Sequence, residues 1–385
     1  MTTKLAILGS TGSIGANALD VVSRLPEGLF RITALSADSN IELLARQARK
    51  FRPKIVAVGS PRSASKIKKM LPSGTKVVQG KEGLDHIVSR SDTDLVLFAI
   101  SGSACLAPLL QAIRHKKRIA LANKESLVSG GELVMRLARK NGVGIIPIDS
   151  EHSAIFQCLA GARAHLKKIY LTGSGGPLLD IPKKRFGSLS RKDVLNHPKW
   201  KMGKKISVDS ATMMNKGLEI IEAKWLFGMD EKDIQVLVHP EAVIHSMVEM
   251  SDGSVMAQLG VPDMRLPIQY ALTFPARYDT GMPRLKFTEL EALTFREPDT
   301  GKFPCLALAR SALKAGGTHP AVLNAADEEA VARYLDGEIR FTAIPEVIEK
   351  VLSRHRDQAE GGTSLADITR ADEWARQEAR SLCYR

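Results

Sequence analysis

The chain has 385 residues, 44% hydrophobic and 25% charged, which suits a folded protein of two or three domains and excludes a low-complexity chain. Its formal charge of +13 admits an anionic partner, but the basic residues are dispersed and clusters such as Arg114–Arg118 are not interleaved with aromatics, so no nucleic acid partner is expected. No apolar run has membrane-spanning length, Met1–Lys4 lacks a signal-peptide n-region, and Cys105, Cys158, Cys305 and Cys383 are far apart, so a cytoplasmic protein with reduced thiols, no membrane partner and only oxygen ligands for any metal is expected.

Lys4–Gly9 reads as a strand, Gly-Ser-Thr-Gly-Ser-Ile-Gly (9–15) as a turn, and the amphipathic stretch to about Arg24 as a helix. In such a turn backbone N–H groups approach a pyrophosphate at a helix N-terminus, where orphan donors and the helix dipole favour an anion. Further strands are expected at Ile32–Leu35, Ile55–Val58, Leu95–Ile100, Arg118–Ala122 and Ile145–Ile148, with helical stretches between. The alternation predicts an α/β fold whose residues 1–149 form a Rossmann-like, doubly wound parallel sheet. The second strand runs into Asp38-Ser39-Asn40, and an acid there ordinarily bonds ribose hydroxyls and favours NAD. Lys124, in Ala122-Asn123-Lys124-Glu125-Ser126, reads either as a contact to a phosphate or substrate hydroxyl or as a solvent-facing lysine at a helix start.

Ile145–Ile148 ends abruptly in Asp149-Ser150-Glu151. In an extended segment residues i and i+2 point the same way, so Asp149 and Glu151 read as ligands of one hard cation; equally, Asp149 and Ser150 read as caps of the next helix. Tyr170–Leu178 reads as a strand entering a Gly/Ser turn suited to a phosphate. The segment Asp180–Lys205 is polar and basic yet carries Trp200 and Met202, which predicts a flexible lid at about 185–205. Val208–Leu226 reads as one helix with Asn215 and Glu219 on one face, Lys216 beside them, and Glu222 one turn on, either an alternative ligand or, by preference, a solvated residue. Strands at Ile234–Val238, Ala242–Glu249 and Ser254–Leu259, with an Asp252-Gly253 hairpin, predict an α/β catalytic domain with a mixed sheet over 150–277. His239 and His245 read as structural. A connector over 278–299 and a helical C-terminal domain over 300–385 complete the expected organisation.

The motifs at 9–15, 122–126 and Ile-Asp-Ser-Glu-His-Ser (148–153), with Leu-Thr-Gly-Ser-Gly-Gly-Pro (171–177) and Ser-Ala-Thr-Met-Met-Asn-Lys-Gly-Leu-Glu (210–219), closely resemble 1-deoxy-D-xylulose 5-phosphate reductoisomerases. The resemblance continues through His239–Glu249, Gln258–Arg265 and Pro320–Ala326. It implies conversion of that sugar phosphate to 2-C-methyl-D-erythritol 4-phosphate in the non-mevalonate (MEP) isoprenoid pathway. The implied cofactors are NADPH and a divalent cation, Mg²⁺ or Mn²⁺ with Co²⁺ as an alternative, and the implied assembly is a homodimer. Carried over by motif, Asp149, Glu151 and Glu219 hold the metal. Lys124, Ser150 and Asn215 hold substrate hydroxyls, and Ser174, Ser210, Asn215 and Lys216 hold the phosphate. His197 sits over the substrate from the lid and Trp200 covers it, so that Lys124, Asp149, Glu151, Glu219 and His197 form the catalytic set. The cofactor falls to Thr11, Gly12, Ser13, Ile14, Ser39, Asn40, Asn123, Glu125 and Gly203, with Asp38 beside them. Asp38 stands where the family usually has Gly, and Arg46, Arg49 and Lys50 nearby are candidate attractors of a 2′-phosphate. In Ala325–Ala330 the family usually carries an Asn and an aliphatic residue.

Overall fold

Short, almost uninterrupted runs of Ile, Leu, Val and Ala form strands buried on both faces, the pattern of a parallel sheet covered by helices. In the computed structural model, which describes residues 2–200, 202–356 and 363–383, these are β1 (Thr3–Leu8), β2 (Phe30–Ala37), β3 (Ile55–Val58), β4 (Lys76–Gln79), β5 (Leu95–Phe98), β6 (Arg118–Leu121) and β7 (Ile145–Pro147). They pair in parallel in the order β4-β3-β2-β1-β5-β6-β7. The order reverses at β1, whose neighbours are β2 and β5, and the carboxyl ends of strands at such a switch point are where open α/β sheets bind ligands. Strand β4, Lys-Val-Val-Gln, was not expected from sequence. It is a four-residue edge strand, only half-buried, and leaves no apolar run to read.

The chain divides into two compact units. The first holds the parallel sheet and comprises Met1–Ser126, Val134–Ser153 and Asp263–Pro283. Its last piece carries the helix Arg265–Thr273, which packs on the helix Ser13–Arg24, and Arg265 reaches Asp263 at 2.6 Å and Asp20 at 3.2 Å.

The second unit comprises Leu127–Leu133, Ala154–Pro262 and Arg284–Arg385. Its four strands, β8 (Leu166–Gly173), β9 (Ile234–Val238), β10 (Ile244–Met250) and β11 (Val255–Leu259), form a mixed sheet in the order β11-β10-β8-β9, with β8 and β9 parallel. Gly253, with φ of +84°, makes the β10–β11 turn, and Asp252 Oδ1 accepts from Ser254 N. Helices Pro304–Ala315, His319–Asp336, Ala343–Arg354 and Leu365–Cys383 form the helical C-terminal region. Lys201 of the expected lid lies outside the described residues, as do 357–362, 384 and 385 of the expected C-terminal domain and Met1 of the first. Among the described residues, no helix is long and apolar enough to cross a membrane.

The expected single helix Val208–Leu226 is two, Lys204–Thr212 and Met214–Phe227. Met213 between them is left-handed, with φ of +59°, and Thr212 Oγ1 accepts from Met214 N. A sequence without Gly or Pro at this point gives no sign of the break.

Candidate active site

At the end of β1 the turn needs two of its glycines for close backbone approach. A Cβ on Gly9 would lie 2.4 Å from the Ala99 carbonyl oxygen, and one on Gly15 would lie 2.3 Å from that of Gly9. Buried Ser10 ties the turn to the helix Ile41–Phe51 that follows β2, its Oγ donating to Gln47 Oε1 at 2.7 Å. Gly12 is the N-cap of the helix Ser13–Arg24, which has neither a side-chain cap nor an acidic residue in its first turn. Its N–H donors and positive dipole end thus remain available to an anion beside Thr11, Gly12, Ser13 and Ile14.

Asp38, Ser39 and Asn40 follow β2 and are exposed. Asp38 lies close over Gly59, where a Cβ would fall 1.9 Å from its Oδ1, and Asn40 caps the next helix by accepting from Leu43 N at 3.2 Å. Two of the three cations considered for a 2′-phosphate are engaged elsewhere: Arg49 donates to the Met70 carbonyl, and Lys50 lies over the Phe51 ring. Asn123 is buried. Its Nδ2 donates to the Ile100 and Gly102 carbonyls and to Glu125, while its Oδ1 accepts from Ser126.

Strands β6 and β7 are neighbours, so the residues just after them meet. Lys124 is not solvent-facing: it is buried, with Nζ 2.6 Å from Asp149 Oδ2. Burial pushes the Asp149 carboxyl upward, but the Lys124 ammonium and the fully buried His152 outweigh it and hold that carboxyl well below the usual carboxylate range. Asp149 and Glu151 bring carboxylate oxygens within 4.8 Å of one another. The extended geometry expected for them is wrong, because the helix Ser150–Cys158 starts immediately, places Glu151 in its first turn, and sends Ser153 N to the Asp149 carbonyl. Ser150 Oγ donates to Glu151 at 2.5 Å.

In the second unit, β8 delivers Ser174-Gly175-Gly176, whose glycines have φ of +83° and +72°. A Cβ on Gly176 would stand 2.5 Å from the Ser210 carbonyl oxygen, and one on Gly173 would stand 2.7 Å from Lys216 Cε, so the turn lies directly against both residues. Asn215 and Lys216 occupy the first turn of the helix Met214–Phe227, again a dipole end that favours an anion. Lys216 Nζ donates to the Thr172 carbonyl at 2.8 Å and to Glu219 at 2.5 Å, and Asn215 donates to the other Glu219 oxygen. Glu219 is fully buried between them. Thr172 had no sequence signal beyond its place ahead of the glycine turn. Glu222, for which a solvated position was preferred, is 1% exposed, because this helix is packed on nearly all sides.

The expected lid is not wholly irregular. Lys183–Ser188 forms a 3₁₀ turn and Arg191–Leu195 a helix with a Ser190/Asp193 capping box. Phe186 and Val194 are buried, Phe186 packing edge-on against Phe341, so apolar anchors interrupt the polar stretch. Beyond them, His197 Nδ1 accepts from the Lys199 and Trp200 amides, which leaves Nε2 to face Ser174 Oγ at 3.0 Å. The Trp200 ring centre lies 6.2 Å from that of His245. Gly203 is the exposed N-cap of the helix Lys204–Thr212.

The first unit thus offers an anion-binding helix end and paired carboxylates, the second a glycine-serine turn with a buried lysine and carboxylate. Family models match in three places: 1-deoxy-D-xylulose 5-phosphate reductoisomerase over residues 5–131, the C-terminal domain of that enzyme over 145–227, and the DXP reductoisomerase C-terminal domain over 259–378. The 1-deoxy-D-xylulose 5-phosphate reductoisomerase of Acetivibrio thermocellus is 51% identical over 379 residues, 98% of each chain. The chain belongs to the 1-deoxy-D-xylulose 5-phosphate reductoisomerase family. The reductoisomerase of Nostoc sp. (strain PCC 7120) is 49% identical over 98% of this chain and 96% of its own. Among solved reductoisomerases, one in complex with NADPH, fosmidomycin and magnesium matches with a TM-score of 0.94 at 40% identity, covering 99% of this chain and 98% of that one. The Zymomonas mobilis reductoisomerase in complex with NADPH matches at 0.92 and 40%, covering 100% and 99%.

Proposed function

We propose that this chain converts 1-deoxy-D-xylulose 5-phosphate to 2-C-methyl-D-erythritol 4-phosphate in the non-mevalonate (MEP) isoprenoid pathway. It does so with NADPH and a divalent cation, Mg²⁺ or Mn²⁺ with Co²⁺ as an alternative. The observation that carries this reading is full-length membership in the reductoisomerase family.

Asp149, Glu151 and Glu219 hold the cation. The donor set suits a hard ion, being carboxylate oxygen only. When bound, the cation supplies Lewis acidity at the substrate ketone and its neighbouring hydroxyl, and NADPH supplies a hydride for the rearranged aldehyde. Ser174, Ser210, Asn215 and Lys216 bind the phosphate with hydroxyls, an amide, an ammonium and a helix N-terminus. Lys124, Ser150 and Asn215 orient substrate hydroxyls, and Lys124 holds a proton at Nζ next to them. Of the lid expected at about 185–205, the part beyond the anchored helix Arg191–Leu195 and ahead of the helix Lys204–Thr212 brings His197 and Trp200 over the substrate and excludes water. Thr11, Gly12, Ser13 and Ile14 take the cofactor pyrophosphate, Asp38, Ser39 and Asn40 lie along its ribose, and Asn123, Glu125 and Gly203 complete its binding.

The protein acts as a cytoplasmic homodimer. Support for the dimer comes from β11, an edge strand whose Val255 and Met256 are 52% and 37% exposed, an arrangement that monomers avoid; light scattering at twice the chain mass is the expected result. The enzymatic reading is tested by NADPH oxidation. Oxidation is expected only with 1-deoxy-D-xylulose 5-phosphate and Mg²⁺ both present, and oxidation that survives full chelation contradicts it.

A further inference from the structure

Lys204 and Lys205 open the helix Lys204–Thr212, which has no acidic residue in its first turn. Two cations at a helix N-terminus oppose its dipole, so Lys205 must be held there by other partners. Its Nζ donates to Asp209 Oδ2 at 2.6 Å, one turn along the same helix, and to Asp327 Oδ2 at 2.7 Å on the helix His319–Asp336. Asp209 and Asp327 are 2% and 0% exposed. Among the described residues Asp327 Oδ1 has no hydrogen-bond partner, so the bond from Lys205 is what stabilises a carboxylate buried this deeply.

Both ends of the tied helix matter to the phosphate turn. Gly203, where the lid stretch ends, is its N-cap, and Ser210 near its far end lies tight against Gly176. A rigid helix nine residues long carries any displacement of its first turn to Ser210.

We propose that Asp327 is a positioning residue which, through Lys205, pins the helix Lys204–Thr212 to the helical C-terminal region and so holds Ser210 in register with the substrate phosphate. The inference rests on the phosphate assignment made above.

The test is steady-state kinetics of the full chain with NADPH and Mg²⁺, using inorganic phosphate as a competitor of the sugar phosphate. Asp327→Ala is expected to raise both KM for the sugar phosphate and Ki for inorganic phosphate about tenfold, the effect of misplacing one hydrogen bond to a charged group. KM for NADPH should change much less than KM for the sugar phosphate, since Gly203 alone of the cofactor residues adjoins the displaced helix. Asp327→Asn, whose amide oxygen still accepts from Lys205, is expected to restore both constants. Unchanged constants in Asp327→Ala overturn the proposal. So does a loss of kcat and of both substrates' affinity in step with melting temperature, which is the mark of a structural role only. Ser210→Ala run in parallel separates the two readings: if it leaves Ki for phosphate unchanged, the phosphate assignment fails and the positioning role with it. If Ser210→Ala raises Ki and Asp327→Ala does not, the positioning role alone fails.

Discussion

Lys124 Nζ lies 2.6 Å from Asp149 Oδ2, an ion pair set across the carboxyl ends of two adjacent parallel strands and largely shielded from water. A charge pair placed there serves a ligand better than it serves the fold, because a buried ion pair adds little net stability over apolar packing. Asp149→Asn keeps the shape and removes the charge. It is expected to lower kcat by about a hundredfold or more, the usual cost of losing a preorganised charge at a reacting centre. NADPH affinity, followed by fluorescence titration, should remain nearly intact. If cofactor binding falls with activity, Asp149 belongs to a structural network instead.

Lys216 and Glu219 give a second prediction. Glu219 is fully buried, and Lys216 supplies the positive charge beside it. Lys216→Met leaves that carboxylate uncompensated and should weaken the fold and the binding of the sugar phosphate together. A divalent cation replaces part of the missing charge, so Mn²⁺ is expected to raise the melting temperature of Lys216→Met by more than that of the unaltered protein. Equal shifts in the two would separate Glu219 from the metal.

Asp38 bears on cofactor choice. NADPH is expected to be preferred over NADH, because the full-length family membership outweighs one position. Asp38 is exposed at the end of β2, and a carboxylate near a 2′-phosphate repels it by about 1 kcal/mol. Asp38→Gly should therefore widen the ratio of kcat/KM for NADPH over NADH. An NADH preference in the unaltered protein contradicts this, and an unchanged ratio in the variant places Asp38 away from the 2′ position.

For the lid, cleavage by a protease of low specificity is expected within 196–203 in the free protein and suppressed by a phosphonate substrate analogue with Mg²⁺. The stretch 183–195 should resist in both states, because Phe186 and Val194 anchor it. Trp200→Ala should raise KM and lower kcat with little change in melting temperature, as expected of a side chain that serves the ligand and not the core. Equal protection of 196–203 with and without ligand means that the segment is fixed structure.

Much of the fold was legible because periodicity and turn chemistry agree along the chain. The strand at Ile55–Val58 and that at Ile234–Val238 lie where their apolar runs end, and Gly9 and Gly15 are glycines because backbone atoms stand where a Cβ would be. What escaped was decided by tertiary packing. Met213 adopts a left-handed conformation that no local residue announces. For Lys124 a solvent-facing reading stood beside the ligand reading, and for Glu222 a solvated one beside that of an alternative ligand; burial of both is set by tertiary packing that periodicity does not weigh. The approach of Trp200 to His245 was not legible, because His245 lies on a strand far along the chain. Asp149 and Glu151 were paired for a geometric reason that failed, since a helix starts between them, and still their oxygens converge.

The most direct measurement is the identity of the product. The chain, 1-deoxy-D-xylulose 5-phosphate labelled with carbon-13, NADPH and Mg²⁺ are incubated together and the product is read by NMR. A branched product, 2-C-methyl-D-erythritol 4-phosphate, formed in step with NADPH consumption, is the expected result. A straight-chain reduced sugar phosphate, or NADPH consumption without carbon-skeleton rearrangement, would contradict the account.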